Sequence, residues 1–440
     1  MKKRLVCILL LLCCLTTQVF AVEPPAMTAK AALLYEATTD TVLYAYNADE
    51  KMYPASTTKL MTAILAMEYG NPEDILTVRQ SAVDDIVSYG NDLRNSVYFL
   101  TGEQVPFLDM LDMLLVYSNN TAANIFAEYV AGTIDSFVEL MNTKAQELGC
   151  TNTHFVNTHG LHNEDHYTTA SDLLKIAQYA MKNETILAAM QKTTIKTPVT
   201  NKHKTQTTLA NTNLLVSTYK LNGLIGGKTG STTAAGYCLV AACQEDDKVY
   251  YSVLLDADTT ALRFSETKAL IKFGKESFSV QTMLSATEPI CEAPVRLSSN
   301  ADSVMLVPEH SISALLPNDF DPTTVQLDYS YEKNITAPVS VGDVLGSVTV
   351  RYNDQDYGTI HLVAASKVER STLLYVLDQV SGFFSGTIFK IILIVVLALV
   401  ALFVIYVVLV RARHHRKKRS GGSSKRSAPR KSRGRYKGRH

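Results

Sequence analysis

Three short stretches of this 440-residue chain carry side chains that could do chemistry together. In Tyr53-Pro54-Ala55-Ser56-Thr57-Thr58-Lys59 a serine precedes a lysine by three positions, and on a helix that spacing puts both on one face. A serine hydroxyl needs a base before it can attack, and an amine held neutral can serve. Burial and a second nearby cation both drive a lysine that way, because each disfavours the charged form. Ser118-Asn119-Asn120 offers a hydroxyl that could relay a proton and, on Asn120, an amide that could bond a substrate carbonyl or hold a lysine. Gly226-Gly227-Lys228-Thr229-Gly230 sets Lys228 and Thr229, which could hold a carboxylate, between glycines that let backbone approach closely.

Each stretch is weak alone. Ser265-Glu266-Thr267-Lys268 repeats the first spacing on what reads as an exposed helix face, and Ser298-Ser299-Asn300 repeats the triplet. Ser56 is equally suited to capping a helix, and the triplet to a turn with a cap. A phosphate loop is excluded at Lys228. It would need glycine at position 222, where Asn222 stands, and a following helix, where strands follow. No Cys-x-x-Cys pair or histidine cluster has metal-ligand spacing.

The elements that must position these groups read as an α+β domain, a sheet covered by helical layers. Ala31–Ala45 alternates around Thr38-Thr39-Asp40 as a hairpin. Helices are expected over Ser56–Glu68, with Leu60, Ile64 and Leu65 on one stripe, and over Leu108–Leu115, Ala122–Val130, Leu173–Lys182 and Ala261–Phe273. Strands are expected over Ala235–Cys243 and Val249–Leu255, with Ser118-Asn119-Asn120 in a loop between helices. This domain spans residues 22–277. Short alternating strands with Pro308, Pro317 and Pro322 between them then form an all-β module over 278–366, and 367–390 reads as a juxtamembrane helix.

The chain ends fix the compartment. Lys2, Lys3 and Arg4, the apolar run Leu5–Leu15 and Val19-Phe20-Ala21 make a signal peptide cleaved after residue 21. Residues 391–410 hold no charge, glycine or proline. A helix of that length spans about 30 Å, the thickness of the bilayer's hydrocarbon layer. Beyond it, 14 Lys and Arg with no acid form a tail, 411–440, that the positive-inside rule places in the cytoplasm, with the body outside the cell membrane. The overall charge of zero conceals this segregation: 25 basic residues face all 42 acidic ones in residues 22–390, about −17, which argues against nucleic-acid binding by the body. Cys238 and Cys243, five apart on one strand, point to opposite faces and should not pair. With Cys150 and Cys291 they read as small buried hydrophobes.

The ordered set Ser56-x-x-Lys59, Ser118-x-Asn120 and Lys228-Thr229-Gly230 is the trio of penicillin-binding proteins and class A β-lactamases. The chain resembles a serine-type D-alanyl-D-alanine carboxypeptidase of the low-molecular-mass penicillin-binding group. The likeness extends through Asn47–Lys51, His159-Gly160-Leu161, His166–Ala170 and Gly236–Leu239, and over Ala337–Glu369 it matches that group's C-terminal β domain.

The resemblance implies a transpeptidase-like antiparallel sheet and removal of the terminal D-alanine from peptidoglycan stem peptides. Ser56 would be the acylated nucleophile, Lys59 its base, and Ser118 and Asn120 aids to proton transfer and orientation. Lys228, Thr229 and Gly230 would face a peptide added along their strand. The amides of Ser56 and Ser231 would form the oxyanion hole, and Arg263 would stand near the terminal-carboxylate site. Beta-lactams would acylate Ser56, and no metal or organic cofactor is implied. His159 and His166 would be structural, and Asn119 and Ser231 would tune substrate preference. A β-lactamase would need a deacylating glutamate, and no Glu-x-x-Leu-Asn-type segment lies between the second and third stretches. A sensor would need a signalling domain, for which a 30-residue tail has no room. The membrane span and basic tail are additions that the group's catalytic pattern does not explain.

Overall fold

The structure is a computed structural model that describes residues 23–89 and 99–419, so the signal peptide expected at 1–21 and the tail from 420 onward lie outside the described residues. The chain divides into two compact units, Met1–Met283 with Ser313–Thr323, and Leu284–Ile312 with Thr324–His440.

The first unit is built on a five-stranded antiparallel sheet of β1 (Ala31–Glu36), β2 (Thr41–Tyr46), β3 (Leu224–Thr232), β4 (Gly236–Glu245) and β5 (Lys248–Ala257), in the order β2-β1-β5-β4-β3. Its inner strands are near-continuous apolar runs because both faces are covered, which removes the polar alternation of a one-sided sheet. Along β4, Cys238, Val240 and Ala242 face the larger core, while Leu239 and Ala241 pack with Phe264 and Cys243 with Leu270 and Ile271. Cys238 and Cys243 thus lie on opposite faces, and the four cysteines among the described residues are free thiols; Cys150, Cys238 and Cys243 are buried, but Cys291 only partly so. The strand carrying Lys228 is the sheet's edge strand.

Helices α1 (Lys59–Tyr69), α2 (Phe107–Leu115) and α3 (Asn120–Ala131) lie in the larger core, and α4 (Thr260–Ser277) packs on β4 and β5. The stripe expected on the first helix is a full circumference: every residue from Lys59 to Ala66 is buried, as befits a helix inside the core. The helix also starts later than expected. Residues Ala55–Thr58 form a 3-10 turn, because the Thr57 and Thr58 hydroxyls donate to the carbonyls three residues back, Pro54 O at 2.7 Å and Ala55 O at 2.8 Å. In 3-10 geometry residues three apart eclipse one another, so Ser56 sits directly over the first residue of α1.

In the second unit a six-stranded sheet buries Ala293, Val304, Leu306, Val348, Val350 and Leu362. Residues Phe278–Leu284 and Ile312–Pro317 pair separately. A helix over Thr372–Ser385, shorter than the expected 367–390, stops at Gly386 in extended conformation. The next helix, Thr387–Arg419, contains within Thr387–His414 an 18-residue stretch of mean hydropathy 3.5 and is long and apolar enough to cross a membrane.

Candidate active site

The 3-10 turn delivers Ser56 Oγ to 2.9 Å from Lys59 Nζ. Ser56 caps nothing, since neither the turn nor α1 has a side-chain cap. Lys59 is wholly buried, and its ammonium is held well below the usual lysine range, first by burial and then by the Lys228 charge. Its nitrogen lies 2.7 Å from both Asn120 Oδ1 and His159 O. A neutral amine has two N–H donors and one lone pair. The two oxygens take the donors, which leaves the lone pair for the Ser56 hydroxyl.

Asn120 belongs to the first turn of α3 rather than to the loop expected there, because Asn119 is the helix cap and accepts from Ala122 N at 2.9 Å. Asn119 is therefore buried behind the site and does not line it, contrary to the role in substrate preference expected from the resemblance. Ser118 precedes it with φ 65°, and Ala55 precedes the serine of the first stretch with φ 48°. Both are non-glycine residues in the left-handed region, where the backbone is strained.

Lys228 Nζ, also fully buried, donates to Ser118 Oγ at 2.8 Å and to Thr229 O at 2.9 Å. Burial, reinforced by the Arg263 charge, lowers it to about 7. Thr229 Oγ1 donates to Thr212 Oγ1 at 2.8 Å. Gly230 is where β3 meets the 3-10 turn: a Cβ there would stand 2.7 Å from Pro54 O and 3.0 Å from Ser56 N. Arg263, buried and lowered by burial to about 10, donates from Nη1 to Gly230 O at 3.1 Å and leaves Nε unpaired. Ser56, Ser118, Asn120, Thr229, Gly230, Ser231 and Arg263 all line one cleft of about 610 Å³, joined by Leu161, Tyr237 and Asp258. Lys59 and Lys228 stand behind its wall. The two look-alike stretches are elsewhere: Ser265 bonds Leu262 O on the exposed side of α4, and Asn300 bonds Lys367 O in the second unit.

Behind the wall lies a polar layer that motif reading did not find. Asn124 Nδ2 donates to Asp85 Oδ2 at 2.7 Å, and its Oδ1 accepts from Thr158 Oγ1 at 2.6 Å. His159 Nδ1 accepts from Leu161 N, so its proton sits on Nε2, 3.4 Å from Asp85 Oδ2. Burial lowers His159, which keeps it neutral. His166 Nδ1 accepts from Val156 N, its Nε2 meets Thr58 Oγ1 at 2.8 Å, and burial lowers it to about 3. Both rings support backbone around Ser56 and Lys59 rather than face the cleft. The resemblance marked His159 and His166 as structural, but for Asp85, Asn124 and Thr158 the sequence offered only a concentration of Asn, Thr and His over 152–159, which also describes an ordinary loop.

A cleft lined by a serine, with two buried lysines behind its wall and one of them on an edge strand, fits an acyl-transferring serine enzyme. The family described as D-alanyl-D-alanine carboxypeptidase matches residues 18–259, and the penicillin-binding protein 5 C-terminal domain matches 278–370. The chain is 28% identical over 355 residues to D-alanyl-D-alanine carboxypeptidase DacF of Bacillus subtilis, covering 80% of this chain and 89% of that one. It is 32% identical over 353 residues to DacC of Escherichia coli, covering 79% and 86%. The structure of penicillin-binding protein 5 from Haemophilus influenzae superposes with a TM-score of 0.57 at 27% identity, over 79% of this chain and all of that one. The chain belongs to the D-alanyl-D-alanine carboxypeptidase family of serine peptidases.

Proposed function

We propose that the cleft removes the terminal D-alanine from peptidoglycan stem peptides ending in D-Ala-D-Ala, with Ser56 as nucleophile. The observation that carries this is the contact of Ser56 Oγ with a buried Lys59 whose other two hydrogen-bond positions are taken. Lys59 accepts the hydroxyl proton as Ser56 Oγ bonds to the penultimate carbonyl carbon. The oxyanion forms against the amides of Ser56 and Ser231. Ser118, backed by Lys228, relays the proton taken up by Lys59 to the leaving nitrogen, the C–N bond breaks, D-alanine departs and Lys59 is neutral again. Water, giving its proton to Lys59, then attacks the ester carbonyl; Lys59 returns that proton to Ser56 Oγ as the ester bond breaks and the shortened peptide leaves. Thr229 and Arg263, with the Lys228 charge behind the wall, hold the terminal carboxylate, which supplies the charge partner that the buried Arg263 lacks. The peptide pairs with the open edge of β3.

A β-lactam presents the same carboxylate and a reactive amide, so it acylates Ser56. The apolar C-terminal helix anchors the enzyme, with the catalytic unit outside the membrane and the basic tail in the cytoplasm. The test uses purified enzyme and a Ser56→Ala form, each given a D-Ala-D-Ala pentapeptide and a fluorescent penicillin. D-alanine release and a persistent label, both lost in the variant, are expected. Rapid penicillin turnover, or labelling without release, would overturn the reading.

A further inference from the structure

Away from the active site a second cleft, of about 470 Å³, runs between α4 and the loop entering β3. Lys268, Lys272 and Lys275 line it from the helix, Lys220 lines it from the loop, and Glu245 is its one acid. We infer that this cleft binds a polymer of repeating phosphate groups.

The charge pattern is the first argument. Residues 22–390 carry 42 acids against 25 bases, yet four of those bases converge here. Like charges on one helix face repel, and a counter-ligand between them would relieve that repulsion. The surrounding acids neutralise it only in part. Glu245 pairs with Lys275. Glu276 reaches Lys272 only at 3.8 Å, with both side chains more than half exposed, which is worth little. Lys220 and Lys268 have no ion pair among the described residues.

Geometry and residue type set the ligand class. Positions 268, 272 and 275 are spaced four and three apart, so they form a row about 10 Å long on one helix face. A row of exposed point charges suits a chain with recurring anionic groups better than one enclosed anion. Each lysine adds a weak contact, and linkage between contacts supplies the affinity. The cleft has no arginine, whose planar fork grips one carboxylate or phosphate at a time; lysine acts on phosphate as a compact charge. The cleft lies apart from the residues assigned to catalysis, so its occupancy does not depend on the catalytic reading.

The test labels amines by acetylation on the full chain in neutral detergent micelles, with long-chain polyphosphate as the probe and each lysine read by mass spectrometry. Reading individual lysines separates this site from binding by the basic tail. Labelling of Lys220, Lys268 and Lys272 is expected to fall about tenfold. The protection midpoint should weaken with salt at a log–log slope of about −2, as expected for three neutralised phosphates. Lys30 and Lys367 should be unaffected. In Lys268→Gln/Lys272→Gln, protection of Lys220 should be lost while D-alanine release is unchanged. Unchanged labelling at the three lysines, or equal protection of Lys30 and Lys367, would overturn the inference. So would equal protection by polyglutamate, or protection by phosphatidylglycerol vesicles without any by polyphosphate.

Discussion

A serine hydroxyl 2.9 Å from a buried amine is a working pair only over the pH range in which the amine is neutral. Lys59 is held well below the usual lysine range, so activity should fall on the acid side as it gains a proton. Lys228, lowered to about 7, has the opposite requirement, since it must be charged to draw in a carboxylate. The free enzyme's kcat/KM should therefore decline above about pH 7. The limb in kcat should lie higher, because a bound carboxylate raises Lys228 again. In Lys228→Arg, which keeps its charge, the alkaline limb of kcat/KM should vanish even if the rate drops; a persisting limb would assign it to another group. Both lysines titrate lower folded than unfolded, so the unfolded chain binds more protons between about pH 7 and 10. Stability should rise with pH across that window, and the rise should be shallower in Lys228→Met, read from urea midpoints.

At the scale of elements, the site depends on how tightly the 157–160 turn and β3 close on the 3-10 turn. Gly160 has φ 84°, and a Cβ there would fall 1.8 Å from Ala55 O. Gly160→Ala combines left-handed strain with overpacking and should cost about 2–5 kcal/mol. It should also slow penicillin acylation at temperatures where the fold survives; a wild-type urea midpoint would refute the close-packing account. The Asn124–Asp85 bond joins the helix over Gln80–Ser88 to α3, which carries Asn120. Asn124→Leu leaves the part-buried Asp85 carboxylate short of a donor and the Thr158 hydroxyl short of an acceptor. A loss of about 1–3 kcal/mol in stability is expected from thermal unfolding.

For the whole molecule, the second unit carries two successive helices, of which the second is long and apolar enough to cross a membrane. Leu373, Leu377, Val380, Phe383 and Phe384 are exposed on the helix over Thr372–Ser385, ahead of the break at Gly386. Truncation after Gly386 should leave a protein that still sediments with membranes but is extracted by high salt or alkali. Truncation after Arg370 should release it with D-alanine turnover intact. If the first truncation is already soluble, the apolar face of that helix has no membrane role.

Sequence alone determined the three reactive stretches, the two-sided burial of the sheet, the opposite faces of Cys238 and Cys243, and the apolar span. Each of these is a local property, written in spacing, periodicity or composition. It could not separate Ser56-x-x-Lys59 from Ser265-x-x-Lys268, because nucleophile and decoy share residue types and spacing and differ only in burial. Tertiary structure decided that Lys59 would be dry, since its desolvation comes from helices and loops far along the chain. It also decided that Asn119 would cap α3 while Asn120 turned to the lysine, because neighbouring amides compete for roles that packing assigns. The Asp85–Asn124–His159 layer left no spacing signal at all. Its members meet only when the 80s helix, α3 and the 157–160 turn close around the amine, and polar groups buried together must find one another.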